Sequence, residues 1–450
     1  MKKFIETLKN IYKIEDLRKR IGITLFFLLI YRLGSYVALP GINPAQLGQL
    51  EKQTSDGLLG LLDMFSGGAF SNASIFALGI MPYISASIVV QLLGIAVPFF
   101  QRLQKDGESG RRKINQITRY LTVIILLFQA PAYLANLQHQ LSAEAFAVSG
   151  WMFTLTSTII LTAGSMFVMW LGERITDNGI GNGISLIIMI GIIARLPFAV
   201  FAEFASRIEA EGGGMVMFLL EFVFLFFVFV GSILLVQGTR KIPVQYAKRI
   251  VGNKQYGGVR QYIPLKVNAA GVMPIIFAQA IMFIPITIVG FTSADGTGWL
   301  ANVANTLSNH TGFWYNFMQF VLVVLFTYFY TAITVNPVHI ADEMKKNGGF
   351  IPGIKPGKKT VDYLDTVMSR ITLPGSIFLG IVTILPAFAM IAGINTQFAY
   401  FFGGTSLLIL VGVVLDTLQQ IESHLLMRHY DGLMKSGRIK GRNGGGAAMY

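Results

Sequence analysis

Chemistry needs titratable or nucleophilic side chains held close together, and this chain keeps them apart. Its five histidines are scattered, without the short spacings that hold a metal ion. It has no cysteine, which excludes thiol catalysis, cysteine-ligated metals and disulfides. No GxxxxGK[ST] loop is present to cradle a phosphate. The glycine-rich run Gly179-Ile180-Gly181-Asn182-Gly183 opens an apolar stretch, where a flexible tight turn is the plain reading. Glu173, Glu221 and Asp416 stand near the ends of apolar stretches, and His339 and His424 flank basic segments. Only Arg32 and Arg195 fall inside apolar stretches, and Arg195 lies near the end of its own, within snorkelling reach of a surface. The chain reads as neither an enzyme nor a nucleotide binder, with no metal and no cofactor.

What the apolar stretches do carry is small residues and isoleucine. Ser85, Ala86 and Ser87 follow Pro82, and small residues let helices approach closely. Pro82 removes a backbone hydrogen bond and is expected to kink its helix. Ile80 and Ile84 are four apart and share a helical face, as do Ile184 and Ile188. By spacing alone these are ordinary packed or lipid-facing side chains.

Such residues must be positioned by membrane-spanning helices. The chain is 53% hydrophobic and 13% charged, with mean hydropathy +0.59. A soluble domain carries about twice that charged fraction. Solid apolar blocks approach the ~20 residues a spanning helix needs, which favours helices over a β-barrel of alternating segments. Ten spans are predicted, at 21–38, 75–97, 120–138, 151–171, 183–201, 215–236, 270–291, 314–335, 374–393 and 400–418. The expected fold is an all-α polytopic membrane protein. Ten spans divide into five and five, and an odd number per half makes the second half inverted. The N-terminal half covers 21–201 and the C-terminal half 202–418. They are flanked by an amphipathic N-terminus at 1–20 and a tail at 419–450, whose glycine-rich end reads as disordered.

The net charge of +13 is distributed on one side. Lys52 and Arg207 alone lie in the odd-numbered loops, and Arg32 and Arg195 within spans; every other Lys and Arg falls in the termini or the even-numbered loops. Both termini and the basic loops are therefore expected in the cytoplasm. Two of these loops, 238–269 and 336–373, exceed the ~12–15 residues that an idle connection needs, which points to docking.

One stretch fits no simple span. In GLLGLLDMFSGGAFSNASIFALGIMPYISASIVVQLL (Gly57–Leu93), the second half can cross a bilayer. The first half is short and is broken by Gly67, Gly68, Ser71, Asn72 and Ser74.

The motifs resolve it. MFSGGAFSNASIFALGIMPYISASI (Met64–Ile88), KDGESGRRKINQITRY (Lys105–Tyr120), MWLGERITDNGIGNGIS (Met169–Ser185), PLKVNAAGVMPIIFA (Pro264–Ala278), NPVHIADEMKKNGGFIPGIKPGKKT (Asn336–Thr360) and GTSLLILVGVVLD (Gly404–Asp416) stand in this order. Together they resemble the SecY/Sec61-alpha family of protein-conducting channels, from about Arg18 to about Tyr430.

The resemblance implies a channel that passes unfolded secretory polypeptides across the bacterial cytoplasmic membrane and releases spans into lipid. It implies a re-entrant plug half-helix near 58–73, carrying Leu61, Leu62, Met64, Phe65, Gly67 and Gly68, with the two glycines as a hinge. It implies a pore ring of Ile80, Ile84, Ile184, Ile188, Ile276 and Ile409, a non-directional gasket that dewets when empty. A lateral gate is implied between spans two and three and spans seven and eight, with Ser85, Gln91, Gln129 and Gln279 as candidates for a polar seam. Arg240, Lys241, Lys248, Arg249, Lys254, Lys355, Lys358 and Lys359 would dock a ribosome or the SecA motor ATPase. Lys355 and Asn253-Lys254 stand where the family often has arginine; lysine keeps the charge without the bidentate fork. Further implied partners are the SecE and SecG subunits, signal sequences, nascent or precursor polypeptides, membrane lipids and accessory translocon proteins. Two readings compete. A secondary transporter would keep charged or ion-coordinating residues at mid-membrane, and a pore-free scramblase or integrase would not need six matched ring positions.

Overall fold

The computed structural model describes residues 14–44, 58–141, 150–209, 214–246, 260–279 and 311–435. Short pieces at 47, 145–146, 249–251, 254–256, 281–282 and 306 are described as well. Helices α1 (Glu15–Gly34), α2 (Leu58–Ser66), α3 (Met81–Ala96), α4 (Pro98–Lys105), α5 (Gly107–Gln140), α6 (Trp151–Asn178), α7 (Gly183–Glu209) and α8 (Gly214–Gln237) come first. Four strands follow: β1 (Thr239–Tyr246), β2 (Arg249–Val251), β3 (Lys254–Tyr256) and β4 (Arg260–Lys266). After a helical segment at 273–279 come α9 (Phe313–Thr334), α10 (Pro337–Lys346), β5 (Gly349–Phe350), α11 (Lys358–Ile391), α12 (Thr396–Ala399) and α13 (Gly404–Lys435).

Seven of these helices are long and apolar enough to cross a membrane, or eight if the bent pair α3–α4 is one span. The remaining two of the ten predicted spans are accounted for. The first, α1, has Glu15 and Asp16 in its first turn and Arg32 in its last, which suits the helix dipole but lowers its hydropathy. Of the seventh, 270–291, only 270–279 and 281–282 are among the described residues.

Several boundaries move, for physical reasons. The second span begins at Met81, not at residue 75. Residues 67–80 form turns, and Gly79 has φ +53°. Pro82 sits in the first turn of α3 and starts the helix instead of kinking it, because its missing N–H belongs to a group left unpaired there anyway. At 16 residues α3 spans only about 24 Å, and the chain then bends by 102° into α4. The third span grows backward to Gly107, so the second basic region is helical and not a loop. The fifth runs on to Glu209, past the predicted half boundary at residue 201. The tenth starts at Gly404, after the turns of α12 and Tyr400–Phe402, and continues into the predicted tail as far as Lys435. Interior prolines at 131, 197, 374 and 386 are carried without ending their helices. Transmembrane helices tolerate this when neighbours satisfy the freed groups.

The two predicted docking loops are folded, and folded together. β1 pairs antiparallel with β4, from Thr239 opposite Lys266 to Gln245 opposite Arg260. β1 also pairs with β5, Tyr246 opposite Gly349, so a strand of 238–269 and a strand of 336–373 share one sheet in the order β4-β1-β5. From Lys241 on, β1 alternates as a half-buried strand should, with Ile242 and Val244 inward and Lys241 and Pro243 outward. Ile242, Val244, Leu265, Ala341, Met344, Ile351, Leu364 and Met368 form a small core beneath it. Asn336 caps α10 by accepting from the Val338 and His339 amides at 3.0 and 3.3 Å, with Pro337 in the first turn.

Candidate functional site, a plugged waist

The six predicted ring isoleucines come from four segments and meet in one cluster. Ile80, Ile188 and Ile409 are buried in it, and Ile84, Ile184 and Ile276 pack against it half-buried. Ile80 is the residue just before α3, and its carbonyl accepts from the Ile84 amide at 3.1 Å, so the pair keeps a common face. Met64 and Phe65 of α2, with Ala69 of the following turn, belong to the same cluster. The predicted plug is therefore real as an element: a nine-residue helix, Leu58–Ser66, followed by turns. The helical part is shorter than the predicted 58–73. Leu61 and Leu62 lie in this helix, but their side chains are outside the described residues.

Gly67 and Gly68 are more than a hinge. Both have left-handed backbones, φ +66° and +91°. A Cβ on Gly67 would lie 2.8 Å from the Gly191 Cα, and one on Gly68 would lie 2.9 Å from the Arg195 guanidinium. A Cβ on Gly191 of α7 would in turn meet the Phe65 carbonyl oxygen at 2.7 Å. The plug backbone thus rests directly on the α7 backbone, a distance only glycine permits.

Arg195 does not snorkel. α7 continues for four turns beyond it, which holds its stem away from the surface, and its guanidinium pairs with Asp63 of α2. It also donates to the Ser71 hydroxyl at 2.7 Å, while the Ser71 amide donates to the second Asp63 oxygen at 2.8 Å. Arg32 of α1 donates to the Gly67 carbonyl and to the Tyr36 hydroxyl, and the Tyr31 hydroxyl donates to the Ser66 carbonyl at 3.1 Å. Sequence reasoning found the two arginines but not these partners. The one available signal was Asp63, an acid in an apolar stretch.

A second ionic cluster was missed as well. Arg207 pairs with Glu203 at 2.7 Å and Glu221 at 2.6 Å, and donates to the Gly393 carbonyl at 3.1 Å. The side chains of Glu203 and Glu221 are 0% and 5% exposed. Glu203 also accepts from the Asn395 amide at 2.7 Å. Arg207 was read as a loop residue and Glu221 as a span-end residue; both lie inside helices.

The glycine run at 179–183 is a pinned turn, not a flexible one. The Ile180 amide donates to Thr24 Oγ1 at 3.1 Å, the Gly181 amide to Gln420 Oε1 at 2.8 Å, and the Gly183 amide to Thr176 Oγ1 at 2.9 Å. It ties α1, α6, α7 and α13 together.

The four candidate seam residues are not brought together. Ser85 and Gln91 bond within α3, to the Met81 carbonyl and the Ser87 hydroxyl. Gln129 is half-buried on α5, and Gln279 lines a partly open pocket with Tyr315, Gln319, Thr383 and Thr405. What α3 shares with the seventh segment is apolar: Ile88, with Ile84 and Leu92 beside it, joins the cluster of Ile275, Phe277 and Ala278. Ser85 and Gln91 thus turn their polar groups to their own helix, and the contact of α3 with the seventh segment is apolar.

Of the candidate docking cations, Arg240 and Lys241 are exposed on β1, and Lys355, Lys358 and Lys359 are exposed beside and on α11. Arg249 and Lys254 lie in β2 and β3, with side chains outside the described residues; Lys248 lies wholly outside them, as does Asn253.

A polytopic helical membrane protein with a short re-entrant helix packed into an apolar core between its long helices has the architecture of a plugged channel. The sequence model of the SecY family matches residues 74–418. The chain is 44% identical to the protein translocase subunit SecY of Mycobacterium tuberculosis H37Rv over 96% of this chain and 99% of that protein. It is 43% identical to the subunit of the same name from Streptomyces coelicolor, over 94% and 98%. A solved protein-conducting channel shares the fold with TM-score 0.61 at 18% identity, covering 94% of this chain and 95% of that one. A solved SecY channel, whose plug domain stabilises the closed state and maintains a membrane seal, does so with TM-score 0.62 at 17% identity, over the same shares. The chain belongs to the SecY family. It is a channel-type protein translocase subunit and not an enzyme.

Proposed function

We propose that this chain forms the pore of a bacterial cytoplasmic-membrane translocon, with both termini and the β4-β1-β5 platform in the cytoplasm. An unfolded secretory polypeptide passes through the waist of Ile80, Ile84, Ile184, Ile188, Ile276 and Ile409 after the plug leaves it. Apolar segments and signal sequences leave sideways into lipid between α3/α5 and the seventh and eighth spans. The two halves, the first five spans and the last five, move apart along that seam, and its apolar contacts need no buried polar group to be stripped of a partner.

The observation that carries this reading is that six isoleucines from four segments share one core with the plug. Small branched apolar side chains seal against each other by dispersion and accommodate any passing sequence. The natural cysteine-free chain makes the test clean. With a single cysteine at Ile84 or Ile276, a cysteine-bearing precursor stalled in transit is expected to form a disulfide. One at Ile159, 61% exposed on the outer face of α6, stays silent. Equal labelling at both positions in an engaged complex would overturn the pore path.

Partners follow from the platform. A solved relative is Sec61 in a canine ribosome-channel complex. By the same logic Arg240, Lys241, Lys355, Lys358 and Lys359 present positive charge to a ribosome or to the SecA motor. SecE, SecG and accessory subunits would lie against the exposed helix faces, which otherwise meet lipid. Reversing Lys355, Lys358 and Lys359 to Glu is expected to weaken binding of the ribosome or motor stepwise, several-fold in total, with the loss shrinking at high salt. Lys355→Arg is expected to change little. A large gain from that arginine would mean that the site needs a bidentate fork and not charge alone.

A further inference from the structure

We propose that the Asp63–Arg195 pair is the latch that holds the plug shut, anchoring it to the N-terminal half. This rests on reading α2 as a plug. The plug's apolar face explains why it fills the waist, but not why it stays: Met64, Phe65 and Ala69 offer non-directional contacts that any apolar segment could replace. The polar contacts are directional. Asp63 and Ser71 form a closed triangle with Arg195, in which Asp63 takes the guanidinium on one oxygen and the Ser71 amide on the other. Arg32 fastens the chain midway between Asp63 and Ser71, through the Gly67 carbonyl. Gly68, with no Cβ, leaves the space the guanidinium occupies.

Both side chains of the pair are largely buried, 16% and 12% exposed. A buried pair is a weak source of net stability, since desolvation offsets much of the attraction. Its leverage is different: losing one partner strands the other charge in a dry site. The closed state is therefore tolerant of the pair but intolerant of half of it. The plug leaves at low cost only once water reaches the outer funnel and solvates both ions.

Arg195 and Arg32 lie on α7 and α1, the fifth and first spans. Asp63 and Ser71 bond to Arg195, Ser66 and Gly67 to Tyr31 and Arg32, and the Phe70 carbonyl accepts from Tyr133 of α5 at 2.8 Å, so these anchors sit on the first, third and fifth spans. Separation of the two halves thus removes Ile276 and Ile409 from the seal without pulling on the latch. Opening of the seam and release of the plug become separable steps, and Arg195 is a positioning residue for the second.

The test uses the full channel with its partner subunits in membrane vesicles. Asp63→Asn and Arg195→Ala are each expected to raise the resting ion leak roughly tenfold, the effect of a stranded buried charge partly relieved by water. Each is also expected to let a precursor with a weakened signal sequence through. Arg195→Lys should fall between wild type and Arg195→Ala. The double variant Asp63→Asn/Arg195→Ala should leak less than the two single effects combined, since the pair acts as one unit. Asp63→Asn is nearly isosteric and keeps an oxygen for the Ser71 amide, so it reports on charge even if Arg195→Ala destabilises the channel. Wild-type translocation with unchanged leak in Asp63→Asn, or strictly additive effects, would overturn the latch while leaving the channel intact. Failure of the wild-type waist to cross-link a stalled precursor would instead overturn the plug reading beneath it.

Discussion

Replacing Gly191 by valine is expected to raise the resting ion leak of the channel, by up to roughly a hundredfold. The site is a contact between backbones: a single Cβ there would sit 2.7 Å from the Phe65 carbonyl oxygen and 3.1 Å from the Gly67 amide nitrogen. Neither atom is the end of a flexible side chain, so the neighbour cannot swing away. α7 is held by its packing against α6, α8 and α13, whereas α2 is a nine-residue helix followed by turns and is the element that yields. Overpacking of this kind costs about 1–3 kcal/mol. Applied to a docked-plug equilibrium, that raises the undocked population roughly tenfold to a hundredfold. Alanine is expected to show the low end and valine the high end in resting ion conductance of reconstituted channels. The same series at Gly22, where a Cβ meets nothing within 4 Å, is expected to be silent. If valine at Gly191 sealed as well as glycine, the plug would not rest on α7 as described, and the latch through Arg195 would lose its geometric footing.

How far the sequence foretold this site depends on the range of each interaction. The isoleucines were legible only through the family resemblance of the motifs that hold them, and the structure gathers them around one core, three buried and three packed against it. The plug was legible as a short apolar stretch broken by Gly67 and Gly68. Its partners were not. Asp63 and Arg195 are 132 residues apart on different elements, and no local pattern pairs them. Arg195 was expected at a surface because hydropathy reports where lipid ends and not where a helix ends. α7 runs on to Glu209 through polar residues that satisfy their charges internally. The same blindness turned 358–373 into a loop, although it is the polar beginning of a 34-residue helix. It also turned residues 75–80 into a span, since apolar turns buried in protein look to a hydropathy scale like a helix in lipid.

The docking platform shows a related limit. Two long basic loops read as two independent arms, because pairing between Gln245 and Phe350 is a contact over more than a hundred residues. Once paired, the loops share a core through Val244, Met344 and Leu364. Under the proposed docking, a partner pushing on one arm would act on β1 and α11 together, and α11 continues into the membrane as the ninth span, one continuous helix into the C-terminal half.

Loss of Arg207 is expected to be the most damaging single change in stability, and loss of its whole cluster far milder. Arg207→Met would leave Glu203 and Glu221 facing each other in a buried site with no cation, Glu203 wholly inaccessible. Breaking a buried ion pair by removing one partner costs about 3–5 kcal/mol. Arg207 also carries the bond to the Gly393 carbonyl, and Glu203 the bond from the Asn395 amide, so the turn before α12 loosens with it. That turn, α7 and α8 meet across the junction between the fifth and sixth spans, the line about which two halves opening at the opposite seam must hinge. A loosened hinge is expected to appear as a drop in thermal unfolding temperature on the order of 5 °C in detergent, with the seam opening more readily. The triple variant Glu203→Gln/Arg207→Met/Glu221→Gln removes all three charges while nearly keeping volume and the acceptor for Asn395. Because the desolvation of the ions disappears along with their attraction, it is expected to recover most of the lost stability. Unfolding of both variants, followed at equal lipid and detergent content, decides the matter. A triple variant as unstable as Arg207→Met would mean that the guanidinium works through its bond to Gly393 and its packing. Recovery would mean that the cluster holds the hinge by charge balance.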